Sequence, residues 1–432
     1  MNGGEAVVAT SAGRVRGQEI SDGILSWRGI PYAEPPVGDL RFRPPRPPRP
    51  WVGVYDATAC SARAIQPDGV ALAGFRRPSD DLPTSEDCLY LNVSAPAGAS
   101  GRPVLVWVHG GGYLAGAGID MAGDGAAFAR SHGLVVVTFN YRLGALGFLD
   151  IEGEQPTGAH GLHDQIAALR WVGENIAAFG GDPGQVTIYG LSAGAKSVSN
   201  LLASPLTAGL IRRAAFSSGG ADHVKQPGQA ARLTRRFRAE LGTSLLRQVP
   251  ADEILAAQNA IATGITGAWV WRPSIDGTAL TRRPIDAIAG GAAQGIPLLA
   301  QTCGHEAALY QLAAPDAASQ ADRVLEDYFG ADTRDRILAT YAKSRPALAD
   351  DPISVRVAVM TDERYGIPST RVAEAHSGHA PVWRSRYDGP LTGLPDPLPG
   401  QFEPFAELLR ASHGSDGTCG VPEVCLACEL QR

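Results

Sequence analysis

The stretch VTIYGLSAGAKSV, Val186 to Val198, decides how this chain is read. Three β-branched residues and a tyrosine run into Gly190-Leu191-Ser192-Ala193-Gly194, a G-x-S-x-G. In a chain of 432 residues with 52 glycines that pattern arises easily by chance, so its surroundings must decide. A nucleophile elbow needs a strand before the serine and a helix after it, because a sharp strand-to-helix turn lifts the hydroxyl above a sheet. VTIY supplies the strand, and Ala193 to Leu202 the helix. Small residues at Gly190, Ala193, Gly194 and Ala195 leave room for the backbone to turn. Ser192 is therefore a candidate nucleophile rather than a serine of an ordinary helix start.

Upstream, His109-Gly110-Gly111-Gly112-Tyr113 follows the apolar run VLVWV, Val104 to Val108. Bare N–H groups at the end of an internal strand are what an oxyanion hole requires. Gly111, Gly112 and Ala193 are the three candidate donors. The same kind of short apolar run recurs at Val135 to Phe139, Pro297 to Ala300 and Val382 to Tyr387, as expected of strands buried on both faces. Between Val135–Phe139 and the VTIY run, Leu169, Val172, Ile176 and Phe179 fall at helical spacing, and Gly180-Gly181-Asp182-Pro183 stops that helix. Alternation of strand and helix predicts an α/β fold with a mostly parallel sheet flanked by helices.

An acid and a histidine should follow the serine. Of nine histidines, only His376, His379 and His413 lie well after any candidate acid. His376 sits in the helix-like RVAEAH and reads as structural, and His379 opens onto the last strand. His413 follows that strand in LLRASHGSDG. Among the carboxylates, Glu306 comes at a strand's end after PLLAQTCGH, whereas Asp276 in SIDG reads as a turn residue. Spacing favours Glu306 and His413 but leaves both choices open.

A net charge of -6 without blocks of like charge gives no footprint for nucleic acid or an acidic membrane surface. No apolar run reaches the ~20 residues of a membrane span. MNGGEAVVATSAGRVRG has no basic-then-apolar leader pattern, so a cytoplasmic location is expected. No metal or organic cofactor is expected either.

Several further segments resemble the type-B carboxylesterase family, which has the α/β-hydrolase fold. They are Trp27-Arg28-Gly29-Ile30-Pro31-Tyr32-Ala33, Pro35-Pro36-Val37-Gly38 with Leu40-Arg41-Phe42, and Ser85 through Asn92. Asn140-Tyr141-Arg142-Leu143-Gly144, Asp164-Gln165, Trp171-Val172 and Phe179 through Pro183 continue the likeness, which spans about residues 7 to 416. It implies a small-molecule ester as substrate, Ser192 as nucleophile, Glu306 as acid, His413 as base, and Gly111, Gly112 and Ala193 as the oxyanion hole. It also implies that Ser218 lies near the acid, that Arg41–Glu86 and Arg142–Asp164 are ion pairs, and that Cys60 and Cys88 are disulfide candidates.

The chain departs from that family in four places. Leu191 stands where a glutamate usually precedes the serine, and Ala307 follows Glu306 where glycine is preferred, which predicts a modest strain in that loop. The loop from Cys60 to Cys88 has Phe75 as its one aromatic residue, so the cation-π platform for choline esters is missing. After Asp416 the chain gives GTCGVPEVCLACELQR, with three cysteines in ten residues, in place of further apolar elements. One hydrolase domain over 1–416 and an atypical tail over 417–432, out of frame or truncated, are therefore expected. Cys425 and Cys428 lack the second ligand pair a metal site needs. The rival expectation is a fold without catalysis, because of the shortened end. Trp269, Trp271, Tyr113 and Phe75 are candidates for either an apolar pocket or core.

Overall fold

The computed structural model describes residues 5–21, 23–67, 77–120, 125–262, 270–308, 322, 323, 325, 326 and 329–388. A central sheet runs through β1 (Glu5–Ala9), β2 (Arg14–Ser21), β3 (Ile24–Pro31), β4 (Val54–Asp56), β7 (Tyr90–Pro96), β8 (Arg102–Val108), β9 (Val135–Phe139), β10 (Gly181–Leu191), β11 (Arg213–Ser217), β12 (Leu298–Cys303) and β13 (Val382–Tyr387). Their spatial order is β1-β2-β3-β7-β9-β8-β10-β11-β12-β13, with β4 beside β2. β5 (Arg63–Ala64) and β6 (Thr84–Ser85) form a separate small pair. From β9 to β13 every pairing is parallel, as the strand-helix alternation predicts. The sheet is nevertheless mixed, because β1, β2, β3, β7 and β9 pair antiparallel.

The apolar runs of β8 and β9 are continuous because both faces are covered, but β13, expected to be buried in the same way, is an edge strand among the described residues with its central four residues exposed. Along β8, Leu105 and Trp107 point to one side, into a cluster with Ala126, Ala129 and Leu134 around helix α1 (Ala126–His132). Val104, Val106 and Val108 point to the other side, into the main core, with Leu162, Ile166 and Leu169 of helix α3 (His160–Asn175) and Val198 and Leu201 of helix α4 (Ala193–Ala203). Past Asn175 the chain tightens into a 3₁₀ turn, Ile176–Phe179, and Gly180 ends it in the left-handed region at φ 84°. That is the stop read from GGDP. β10 already begins at Gly181, however, with an irregular register before Val186.

Excursions above the sheet have a third core of their own, where Phe237, Ile254, Ala257 and Trp271 pack with Phe42, Leu146 and Leu149. Two buried cations join this layer to the sheet. Arg41 Nε donates to Glu86 at 2.6 Å, and its Nη1 reaches the carbonyls of Leu246, Arg247 and Val249. Arg142 gives Asp164 a bidentate grip, Nε at 2.8 Å and Nη2 at 2.6 Å, with its own N–H adding a third bond at 3.0 Å. Both pairs match those expected from the sequence resemblance. No disulfide joins Cys60 to Cys88 in this structure, and burial pushes the Cys88 thiol far above its ordinary titration range.

Asp164 is fully buried and Arg142 is 3 % exposed, so removing the acid leaves an uncompensated guanidinium in the core. Asp164→Ala is expected to lower stability by about 3–5 kcal/mol. Urea unfolding measures it, and a loss below about 1 kcal/mol would contradict a pair that holds the fold.

Candidate active site

The parallel strands β8, β10, β11 and β12 all deliver their carboxyl ends to one rim of the sheet, where α/β proteins place their chemistry. Ser192 occupies the turn between β10 and α4 with φ 61° and ψ −118°, a conformation costing a non-glycine residue about 1–3 kcal/mol. The surroundings impose it. The Ser192 N–H donates to the Ser217 carbonyl at 2.9 Å, continuing the β10–β11 ladder, while its own carbonyl accepts from Lys196 at 3.0 Å to start the helix. The turn is so tight that a methyl on Gly194 would lie 2.0 Å from the Val108 carbonyl oxygen. One on Gly190 would meet Gly194 at 2.4 Å. Both glycines of the motif are thus required for packing, and the serine between them is 7 % exposed.

The turn after β8 lies directly against this elbow, since a Cβ on Gly110 would stand 3.2 Å from that of Ser192. Gly111 has φ 105°, and a methyl there would strike the Ala115 carbonyl at 2.0 Å. Gly112 at φ 66° and Tyr113 at φ 62° continue the curl, which Leu114 and Ala115 close by donating to the Gly111 carbonyl. Among the described residues, the N–H groups of Gly111, Gly112 and Ala193 have no hydrogen-bond acceptor. Three donors left over beside a strained serine are what stabilising a developing oxyanion demands.

Neutral groups fix that turn. His109 stacks on Tyr141 with ring centroids 4.2 Å apart and bonds the Gly110 carbonyl through Nδ1 at 2.9 Å. Burial brings its pKa down to about 4, so the ring is uncharged at neutral pH. The Tyr141 hydroxyl donates to the His109 carbonyl at 2.8 Å, and Ser197 of α4 donates to the Tyr113 hydroxyl at 3.2 Å. Tyr113, 1 % exposed against Phe148, and Trp271, fully buried against Phe237, are packed in the core.

Glu306 lies three residues past β12, completely buried, with Oε1 accepting from the Cys303 N–H at 2.7 Å. Ala307 adopts no left-handed conformation, so the strain expected from a non-glycine residue there is absent. Instead its N–H donates to Thr361 Oγ1 at 3.1 Å. Ser218, just past β11, has φ 61° and a fully buried hydroxyl with no hydrogen-bond partner among the described residues. Leu191 ends β10 half-buried, packed on the α1 side of the sheet. His413, Phe75, Trp269 and the tail lie outside the described residues. The other histidines go where the sequence put them. His376 is a buried helix residue bonded to the Ile296 carbonyl at 2.7 Å, and His379 bonds the Ala289 carbonyl at 2.9 Å.

Asp276 is a turn residue, accepting from the Thr278 and Leu280 N–H groups. Sequence reasoning missed its second partner, His163 Nε2 at 2.7 Å from α3. Also missed is a buried polar group beside the elbow: Lys196, His223, Arg272 and Arg364. The signal for Lys196 was present, because a helix reading AGAKSVSNLLA is apolar or small on every side and leaves a lysine no exposed face.

The profile of the carboxylesterase family matches residues 4–419 of this chain. Over 396 residues the chain is 39% identical to a para-nitrobenzyl esterase of Bacillus subtilis (strain 168), covering 88% of this chain and 78% of that protein. Over 449 residues it is 36% identical to a fumonisin B1 esterase of Sphingopyxis macrogoltabida, covering 98% and 79%. Among solved structures, a PNB esterase superposes with a TM-score of 0.79 at 36% identity, covering 95% of this chain and 84% of that one. A carboxylesterase of Geobacillus stearothermophilus gives 0.75 at 37% identity, covering 89% and 80%.

Burial raises the Asp276 carboxyl, but the bonds from His163, Leu280 and Thr278 outweigh it and leave the pKa below the ordinary value. A depressed carboxylate stabilises the fold above its unfolded pKa of about 3.9, and that contribution is lost as pH falls through the folded value. Asp276→Asn is expected to cost about 1.5–3 kcal/mol at pH 7. It should also shrink the stability difference between pH 7 and pH 3. Urea titrations at both pH values test this, and an unchanged difference would contradict it.

Proposed function

Because the chain belongs to the carboxylesterase family, we propose that it hydrolyses uncharged carboxylic esters through a Ser192–His413–Glu306 triad and an acyl-enzyme. The observation that carries this reading is the conjunction at the β10–α4 turn. A serine held at φ 61° lies against the glycine turn, three backbone N–H groups of the two turns are left without acceptors among the described residues, and a fully buried glutamate stands past the end of β12.

In this reading His413 takes the proton of Ser192 as the hydroxyl attacks the ester carbonyl, and Glu306 holds the imidazole in the tautomer that can accept it. The carbonyl oxygen becomes an oxyanion bound by Gly111, Gly112 and Ala193, one such donor contributing about 3–4 kcal/mol to the transition state. His413 returns the proton to the leaving alcohol, and water then attacks the acyl-serine by the same route. Ser218 belongs beside the acid as a hydroxyl support. Every step uses side chains and backbone of the chain itself, so no cofactor is invoked. Among the described residues no helix is long and apolar enough to cross a membrane. The cytoplasmic setting we propose would keep Cys60 and Cys88 as thiols.

A fluorophosphonate probe should label wild type at Ser192, and Ser192→Ala should lose both labelling and p-nitrophenyl ester hydrolysis. Activity should rise with pH as the imidazole, with a reference pKa of about 6.5, becomes neutral. An unlabelled, inactive wild type would instead mark a fold without catalysis, and a flat profile from about pH 5 to 9 would contradict a histidine base. A series of p-nitrophenyl esters of increasing acyl length reads the preference of the acyl site.

A further inference from the structure

The turn that carries the Gly111 and Gly112 donors leans on the residues that follow it. Gly116 has φ 113°, and a methyl there would stand 2.6 Å from the Gly110 carbonyl oxygen and 2.6 Å from His109 Nδ1. Gly111 is crowded from the same side, since its own methyl would lie 2.0 Å from the Ala115 carbonyl oxygen. Residues 109–111 therefore rest against 115 and 116. Whatever fixes Gly116 also fixes the backing of the donors.

Gly116 belongs to no strand or helix, yet both of its backbone polar groups are paired, and with one side chain. Its N–H donates to Gln66 Oε1 at 2.9 Å, and its carbonyl accepts from Gln66 Nε2 at 3.1 Å. Gln66 Nε2 also donates to the Ala64 carbonyl at 3.0 Å, and Oε1 accepts a second bond from Arg77 Nη1 at 3.4 Å. Each hydrogen-bonding position of the amide is thus filled, and the residue is 2 % exposed, so the side chain has one orientation. Two further side chains join the same segments farther out. Asn140 accepts from the Gly118 N–H at 2.9 Å and donates to the Ala62 carbonyl at 3.1 Å. Asp120 accepts from the Ala117 N–H at 2.9 Å and the Ser79 N–H at 3.1 Å. These hold residues 117 and 118, whereas Gln66 holds the residue packed on Gly110 and His109.

We propose that Gln66 is a positioning residue of the oxyanion site, which by engaging both polar groups of Gly116 holds the 109–112 turn against the elbow. The inference rests on the reading of Gly111, Gly112 and Ala193 as the oxyanion hole. Gln66 acts through Gly116 and not on the substrate. Preorganised donors are effective because they need not move as charge develops, and a misplacement of about 1 Å costs on the order of a hundredfold in rate. An apolar side chain of the same reach would leave a buried N–H and a buried carbonyl unpaired, and Gly116 would shift to satisfy them. Donor aim counts for more in the transition state than in the bound ester, so the loss falls on kcat and spares KM.

The test compares wild type, Gln66→Met and Gln66→Glu well below their melting temperatures, reading kcat and KM for p-nitrophenyl acetate and inhibition by a trifluoromethyl ketone, whose serine adduct carries an oxyanion. Methionine keeps the length of the side chain and removes all of its hydrogen bonds. Glutamate keeps the acceptor for the Gly116 N–H beside Arg77 and loses the two donated bonds. Gln66→Met should lower kcat about ten- to a hundredfold with KM within about twofold, and weaken the ketone by a similar factor. Gln66→Glu should fall between it and wild type. A methionine variant with wild-type kcat, with its loss carried by KM, or with undiminished affinity for the ketone overturns the proposal. Should methionine not fold, a glutamate variant equal to wild type in kcat and ketone affinity overturns it as well. Failure of wild type to label at Ser192 with the fluorophosphonate probe instead sinks the catalytic reading itself, so the two failures are distinguishable.

Discussion

The close approach of two backbones at the sheet's rim governs the rest of this structure. Between β8 and α4 there is no room for a side chain: a methyl on Gly194 would lie 2.0 Å from the Val108 carbonyl oxygen and 2.9 Å from that of His109. A helix can start this close to a neighbouring strand only if the turn before it is as short as one residue, and that residue must then accept a positive φ. Ser192 pays for the geometry in backbone strain, and gains a fixed position above the strand ends. The same closeness seats the glycine turn of 109–112 against the serine. The strained serine and the unengaged N–H donors thus follow from one packing constraint.

That constraint holds only if the sheet beneath it is rigid, and the burial of both faces supplies the rigidity. β9 is buried at all five positions, and β8 sends alternate side chains into separate cores. The excursions above the sheet lack such symmetry and are instead tied down by charge. Arg41 gathers Glu86 and three carbonyls, and Arg142 closes on Asp164 with three bonds. Ion pairs this deep repay their desolvation only as far as their donors are satisfied, which Arg41 achieves more fully than Arg142, whose buried Nη1 has no hydrogen-bond partner among the described residues.

These constraints also explain which parts of the chain could be read from sequence. Strands covered on both faces give continuous apolar runs, so β8 and β9 were legible almost to the residue, whereas β13 was located although it is, among the described residues, an edge strand exposed at four of its six positions. β2 (RVRGQEIS) and the other antiparallel strands of the first half were not, because they alternate with polar residues and resemble loops to a search for apolar runs. β11, RAAFS, is short and opens on an arginine. The elbow and glycine turn were legible because steric crowding leaves so little choice of residue. Core and pocket aromatics were not distinguishable, since Tyr113 and Trp271 owe their burial to partners distant in sequence. The π-helical turn Asp362–Gly366, which brings Tyr365 to Lys196, carries no local signal at all.

What sits around the donors matters as much as the donors themselves. Gln165 donates to Ser197 at 3.0 Å, Ser197 to Tyr113, and Tyr141 to the His109 carbonyl, so a chain of hydrogen bonds runs from α3 through α4 to the glycine turn. Burial pushes both tyrosines up and the His109 imidazole down, so all three rings stay neutral near neutral pH. A turn braced by titrating groups would shift as they changed charge. One braced by neutral groups keeps its geometry as pH changes, which is the condition under which preorganised dipoles contribute most to a developing charge.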